Sequence, residues 1–397
     1  MLRKWQRMVL TVVLLNLTLL VSGCWDRKEI QNRGYVLGVG IDHTAASESK
    51  DGNGLVQASQ AAGRNKYKVT FEFPKFQKSQ EDKKAASSQQ HILWSGEGES
   101  MAAISKFINT ESYFSMFYED IQILVLSESV AKEGIGDLLD FFMRNSEMRQ
   151  RLKLFVTTDR AEEILEKKTS IEEPNSIYIA KLINNTFESL TFGGKADLRQ
   201  VAKAIREQRS FFMPMIVADK EKVKLTKVAI FNNKYKMVGE LEELDVLGAK
   251  VLRNKLKGGG VIVVHDPVNF EKLAIFQIYQ PTIKINAYLQ DGVSFAVDVK
   301  LVGYMAEHTE PNQDAMDPDY IKAVEEAVAK EVTRSIKSAY SKQQELKAEF
   351  CDLGGVVYRQ YPHYWKEVKE HWDDEVFPDV PLDVKVKVTI RSAVISS

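Results

Sequence analysis

The spacing of hydrophobic and polar positions changes several times along the chain, and each change predicts a different element. In residues 67–73, Tyr67, Val69, Phe71 and Phe73 alternate with Lys68, Thr70 and Glu72 until Pro74. This period of two predicts a strand with one covered face. Continuous apolar runs at residues 35–42 (YVLGVGID) and 121–126 (IQILVL) predict buried strands, with further strands at 91–95 and 152–157. Between these, Met101, Ile104, Phe107 and Ile108 recur at helical spacing and predict a helix over 99–110. More helices are expected at 129–132, 136–145, 160–168, 175–190 and 197–208. Strands alternating with helices in this way argue for a mixed sheet with helices packed on it. The polar stretches at 43–65 and 77–90 are expected as loops.

The second half has another rhythm. Strands are predicted at 222–232 and 235–238, and an amphipathic helix over 240–254. Four strand-like segments then follow with no helix between them, at 260–265, 273–280, 283–290 and 293–304. Asp291-Gly292 is the strongest turn signal and predicts a type I′ hairpin, so this region is expected to be an antiparallel meander. Pro318 opens a long helix in which Ile321, Val324, Val328, Val332, Ile336, Tyr340 and Phe350 share one face, as a helix laid across a sheet requires. A Trp-rich helical stretch at 361–372 precedes a last strand in which Val384, Val386, Val388 and Ile390 alternate with polar residues.

The amino terminus follows neither pattern. Arg3, Lys4 and Arg7 precede an apolar run over residues 8–21. As a helix this run measures about 21 Å, short of a hydrocarbon core about 30 Å thick, and it suits the apolar segment of a signal peptide better than a permanent span. It ends in Val21-Ser22-Gly23-Cys24, which resembles a bacterial lipoprotein box. Cys24 is therefore the expected S-diacylglycerol cysteine and mature N-terminus, where two acyl chains suffice for stable anchoring. Asp26 and Glu29 have the spacing of a capping box just beyond it.

Composition narrows the chemistry. A formal net charge of -1 over 397 residues argues against a nucleic-acid footprint, which needs a basic excess. The two cysteines, Cys24 and Cys351, allow neither a disulfide framework nor a cysteine-based zinc site. The six histidines form no HExxH pattern. There is no GxSxG elbow, and Gly258-Gly259-Gly260 precedes a strand rather than the helix N-terminus a phosphate loop needs. Gly38-Val39-Gly40 is better explained by close packing of a strand than by nucleotide binding. The acidic clusters at 240–245 and 373–375 are expected to be solvated. No catalytic, cofactor-binding or metal-binding residue is assigned, no cofactor is expected, and the chain is not expected to be an enzyme.

Several stretches carry a family likeness. Residues 24–30 (CWDRKEI) followed by 36–42 (VLGVGID) resemble the mature start of the Ger(x)C family of spore-germination lipoproteins. Residues 124–128 (LVLSE), Gly134-Ile135 and residues 140–145 (DFFMRN) resemble the family's strand and following helix. Residues 352–358 (DLGGVVY), 361–365 (YPHYW) and Trp372 are similar to its C-terminal signature. The resemblance implies a non-catalytic subunit of a nutrient germinant receptor, anchored through Cys24 on the extracytoplasmic face of the spore inner membrane. Its implied partners are two integral-membrane receptor subunits, and no nucleic acid.

The fold class implied is α+β: an elongated multi-domain protein with a mixed sheet and helices in its N-terminal half, and an antiparallel meander packed by a long helix in its C-terminal half. The expected divisions are a signal peptide at 1–23, an N-terminal α+β region at 24–215 and a C-terminal α+β domain at 216–397. A lipid-anchored solute-binding protein of a transporter is the alternative, although four successive strands do not suit its two parallel-sheet lobes. An extracytoplasmic hydrolase ranks third.

Overall fold

The structure, a computed structural model, describes residues 3–6, 33–44, 66–75, 91–167, 173–185, 196–219, 222–308 and 317–391. The lipobox, Cys24 and the capping box expected at Asp26 and Glu29 lie outside the described residues, as do most of the expected loops at 43–65 and 77–90. Among the described residues the strands form three sheets, of two, eight and four strands.

The single strand expected at 35–42 is two strands. β1 (Arg33–Tyr35) pairs in parallel with β5 (Ser115–Phe117), while β2 (Gly38–His43) enters the eight-stranded sheet. The change of partner falls at Val36 and Leu37, whose amides donate to the carbonyls of Phe117 at 2.9 Å and Glu72 at 2.8 Å. Both side chains are buried, so an apolar run alone could not reveal the break.

The large sheet also contains β3 (Tyr67–Pro74), β4 (His91–Gly98), β6 (Ile123–Ser127), β7 (Lys153–Thr157), β8 (Phe211–Asp219), β9 (Lys222–Phe231) and β10 (Met237–Leu241), in the order β10-β9-β8-β7-β6-β2-β3-β4. Its centre is parallel and its flanks antiparallel, the mixed sheet that alternating strands and helices imply. One face carries α1 (Met101–Glu111), α2 (Glu128–Glu133), α3 (Gly136–Arg144) and α6 (Leu198–Arg206). The other carries α4 (Ala161–Glu166) and α5 (Asn175–Asn185). The helix expected over 99–110 is α1, with the Ser100 hydroxyl capping its first turn and Met101, Ile104 and Ile108 buried.

β8 has no counterpart in the sequence pattern, because Pro214 argues against a central strand. The sheet admits it at a bulge, since the register with β9 shifts between Pro214 and Ile216. The division expected at 215/216 falls inside this strand, and β9 and β10 extend the same sheet.

The four-stranded sheet has the order β11 (Val261–His265), β12 (Leu273–Leu289), β13 (Val293–His308) and β14 (Leu382–Ile390). The first three strands are the antiparallel meander, and β14 joins β13 in parallel. The two strands expected at 273–280 and 283–290 are one, running through Pro281. Pro281 is tolerated because the amide of Ala287, six residues on, points away from β13 to the Gln360 side chain at 2.8 Å. The two-residue period places Pro281 on the same outward side, where its missing N–H costs no ladder bond, and β11 pairs only as far as Gln277. The hairpin after β12 holds Asp291-Gly292 as expected, but as the loop between the paired residues Leu289 and Val293.

α8 (Pro318–Glu345) is the long helix, with Pro318 in its first turn and the Asp317 side chain accepting from the Asp319 amide at 2.9 Å. It packs against α7 (Glu243–Leu252) so closely that the Gly248 amide donates to the Ser335 hydroxyl at 2.7 Å. Val324, Val328, Val332, Ile336 and Tyr340 are buried in a core that also takes Phe212, Val228, Ile230 and Leu241 from the eight-stranded sheet. The two halves are therefore continuous in their packing.

Candidate functional site

After α8 the chain turns back twice, at Lys347 (φ 48°) and Asp352 (φ 66°), both left-handed. Between these turns Glu349, Phe350 and Cys351 are carried into the core. α9 (Leu353–Gln360), α10 (Pro362–Val368) and a π-helical turn (Trp372–Val376) then close over them. The C-terminal residues that carry the family likeness therefore surround a buried carboxylate.

Glu349 is 5% exposed, and its Oε2 accepts from the Gly354 amide at 2.9 Å, so it caps α9 from outside the helix. Asp352 stands at the N-cap position but makes no side-chain cap bond. It pairs instead with Arg209, which also meets Glu207 at 2.5 Å. Asp373 accepts from the Ser210 hydroxyl at 2.5 Å and from the backbone amide of Glu349. Consecutive residues of the eight-stranded unit, Arg209 and Ser210, thus grip two acids of the C-terminal unit that neighbour Glu349.

Gly354 is required at the centre of this arrangement. A Cβ there would lie 2.4 Å from the Trp365 ring and 3.2 Å from Trp372 Nε1. The two indoles meet edge to face at 5.2 Å. Outside them lies a cleft of about 730 Å³ between the two units, lined among others by Lys203, Arg206, Arg209, Gly355, Tyr358 and Trp365.

Burial dominates the electrostatics. It pushes the Glu349 carboxyl up to about 8, helped by the neighbouring charge of Asp373 and opposed by the Gly354 and Leu353 amides. It pushes Asp373 up to about 6 against the bonds from Ser210 and the Glu349 amide. It also holds the Cys351 thiol well above its ordinary value, which disfavours the thiolate. At neutral pH burial therefore favours the protonated form of Glu349.

The solvated acidic clusters expected at 240–245 and 373–375 are each corrected at one member, since Asp245 and Asp373 are both only 7% exposed, Asp245 accepting from the Ser338 hydroxyl at 2.5 Å. Glu349, Arg209 and Ser210 carried no sequence signal, because their proximity depends on two left-handed turns and on a contact between units.

The N-terminal likeness has a different basis. In β2, a Cβ on Gly38 would lie 1.8 Å from Ser176 Oγ. Asp42 accepts from the amides of Ala161 at 2.7 Å and Glu162 at 3.1 Å, capping α4. Glu72, opposite Gly38 in β3, accepts from the amides of Asn175 at 2.8 Å and Ser176 at 2.9 Å, capping α5. The GVGID stretch is thus the strand against which two helix N-termini are pressed. Among the described residues no cluster of three or more His, Cys, Asp or Glu is placed to hold a metal ion, and no helix is long and apolar enough to cross a membrane.

Two family models match the chain in succession. That for the spore germination protein N-terminal domain covers residues 26–218, and that for the spore germination B3/GerAC-like C-terminal region covers residues 226–393. Spore germination protein YndF of Bacillus subtilis (strain 168) is 25% identical over 400 residues, covering 96% of this chain and 95% of that one. Spore germination protein A3 of the same organism is 25% identical over 379 residues, covering 94% and 95%. Spore germination protein KC, also of that organism, is 23% identical over 407 residues, covering 97% and 96%. The crystal structure of the GerBC protein shares the fold, with a TM-score of 0.56 at 19% identity over 82% of this chain and 93% of that one. With consecutive models spanning nearly all of the sequence beyond Cys24, the chain belongs to the Ger(x)C family of spore germination proteins.

Proposed function

We propose that this protein is a non-catalytic subunit of a spore nutrient germinant receptor, anchored through an S-diacylglycerol Cys24 to the extracytoplasmic face of the spore inner membrane. There it assembles with two integral-membrane subunits and is required for the germination response. The observation that carries this reading is the likeness to spore germination proteins over nearly the full length of both chains. The lipobox supports the anchor.

The test is genetic and biochemical together. Deletion of the gene abolishes the response to at least one nutrient, and the tagged protein co-purifies with two membrane proteins from detergent-solubilised spore membranes. A Cys24→Ala chain leaves the membrane fraction. An unchanged nutrient response in the deletion strain, with no membrane protein recovered, overturns the reading.

A further inference from the structure

A groove of about 590 Å³ lies where the edge of the eight-stranded sheet, β3 and β4, meets the small sheet of β1 and β5. Its floor is the Phe114 ring, packed so closely on β1 that a Cβ on Gly34 would lie 2.1 Å from it. Phe73 and Trp94 flank that ring at 5.0 and 6.0 Å between centres. The rim is open. Tyr113 is 86% exposed, more than any other large hydrophobic side chain among the described residues, and Ile92 on the edge strand β4 is 46% exposed. Among the described residues two charged side chains line the groove, Arg33 and Asp120. Asp120 is paired with Arg149 at 3.1 Å, whereas Arg33 stacks on the Phe117 ring at 4.3 Å and meets no carboxylate among the described residues. The groove is thus an apolar hollow with one uncompensated cation in its wall.

We propose that this groove seats on the phospholipid bilayer that carries Cys24, with Tyr113 and Ile92 in the interfacial layer and Arg33 on a lipid phosphate.

The length of the tether selects this occupant. Arg33 stands nine residues after Cys24, and even a fully extended chain of that length reaches only about 30 Å. The wall of the groove is therefore held within that distance of the anchor, so it meets the bilayer at a high effective concentration. The chemistry of the surface agrees. Amphipathic aromatic rings favour the headgroup level of a bilayer, and the groove offers Tyr113 at its rim with the half-buried Trp94 behind it. A guanidinium matches phosphate oxygens in geometry as well as charge, and anionic lipid attracts it further. Clustered apolar side chains left exposed in this way mark an interaction surface. Val268 and Phe270, 64% and 73% exposed between β11 and β12, are exposed as well, but they belong to the C-terminal unit and have no comparable tether. The proposal rests on the reading of Cys24 as the anchor and adds which face of the body meets the membrane.

Quenching of tryptophan emission by brominated lipid tests this, with the full-length lipoprotein reconstituted into vesicles of phosphatidylglycerol and phosphatidylcholine that carry bromine on their acyl chains. Trp94 emission is read in each background as the difference from the matching Trp94→Phe chain, and flotation shows whether the protein is on the vesicles. The expected result is that every chain floats and that the wild type loses Trp94 emission. Tyr113→Asp, which places a charge at the exposed rim, floats as before with an unchanged melting temperature and regains the emission. Arg33→Gln regains part of it, Arg33→Lys regains less, and Phe270→Asp leaves the quenching as it was. A protein that floats with Trp94 unquenched keeps the anchor and overturns the docking. Recovery of the emission by Phe270→Asp in place of Tyr113→Asp also overturns it. A protein that does not float refutes the anchor, and the docking falls with it. Trp94 unquenched on vesicles, together with loss of co-purifying membrane proteins in Tyr113→Asp, would assign the groove to a protein partner and overturn the lipid proposal.

Discussion

The Ser210 hydroxyl donates to the Asp373 carboxylate at 2.5 Å across 163 residues of chain, in a buried position where the eight-stranded unit meets the C-terminal unit. Its neighbour Arg209 pairs with Asp352. Together they hold the Asp352 turn and the π-helical turn at Trp372–Val376 near Glu349, so the geometry of the candidate site depends on a contact between units rather than on either unit alone.

Removing that hydroxyl leaves Asp373 buried with one partner fewer. Ser210→Ala is expected to destabilise the protein by about 1–3 kcal/mol, the usual cost of an unsatisfied buried group. Ser210→Thr, which keeps a hydroxyl, recovers much of the loss. Urea denaturation of the three proteins measures both effects, and equal stability of the alanine and serine forms would show that the bond contributes nothing.

Stability should also fall as pH rises above neutrality. Burial raises the folded-state values of Glu349 to about 8 and Glu72 to about 7, from an ordinary 4.5. The folded chain therefore holds these protons at pH values where the unfolded chain has lost them. Their stabilising contribution is complete below about 4.5 and disappears as pH climbs through 7 and 8. His91, whose value burial lowers from 6.5, acts in the opposite direction below that pH, so the decline is best measured from 6.5 upward. Between pH 6.5 and 8 the unfolding free energy should drop by about 1–3 kcal/mol. Glu349→Gln should remove the upper part of the slope and Glu72→Gln the lower, both read from urea midpoints across pH.

Periodicity was sufficient wherever one physical constraint acted alone. The alternation at Tyr67–Pro74 is β3, the helical spacing of Met101, Ile104 and Ile108 is α1, and the apolar face from Val324 to Tyr340 is the buried stripe of α8. It failed where long-range contacts overrode the local pattern. Pro214 hides β8 because a bulge excuses it, and Pro281 reads as the end of a strand that in fact continues beside an unpaired edge. Glu72 looks like the wet face of a strand, yet it is buried because its carboxylate caps α5. Asp373 looks like part of a charged loop, and only its partner Ser210 explains its burial. A polar residue recruited by a distant element leaves no trace in local spacing.

Gly38 offers a direct test of the close approach between β2 and α5. An alanine there would place its methyl 1.8 Å from Ser176 Oγ, and that hydroxyl is itself bonded to the buried Glu72. The helix N-terminus must shift, so Gly38→Ala should cost about 1–3 kcal/mol or more. Gly292→Ala is the control, because nothing lies within 4 Å of its Cβ and only the left-handed backbone (φ 129°) opposes it. That strain should cost about 1 kcal/mol. Chemical denaturation separates steric from backbone strain, and equal losses at both positions would contradict the packing account.

Cys351 tests whether the buried site holds any thiol chemistry. It is 2% exposed, its Sγ lies 3.8 Å from the Ala249 carbonyl, and burial keeps the thiol protonated although Arg253 nearby favours the thiolate. A maleimide needs both access and thiolate, and this residue offers neither. A Cys24→Ala chain, in which Cys351 is the remaining cysteine, should therefore take up no maleimide when native and one in urea. Cys351→Ala should germinate normally and lose about 1–2 kcal/mol of stability, the cost of a small cavity. Rapid labelling of the native protein would mean that Glu349, Phe350 and Cys351 open to solvent far more readily than their burial beneath α9 and α10 implies.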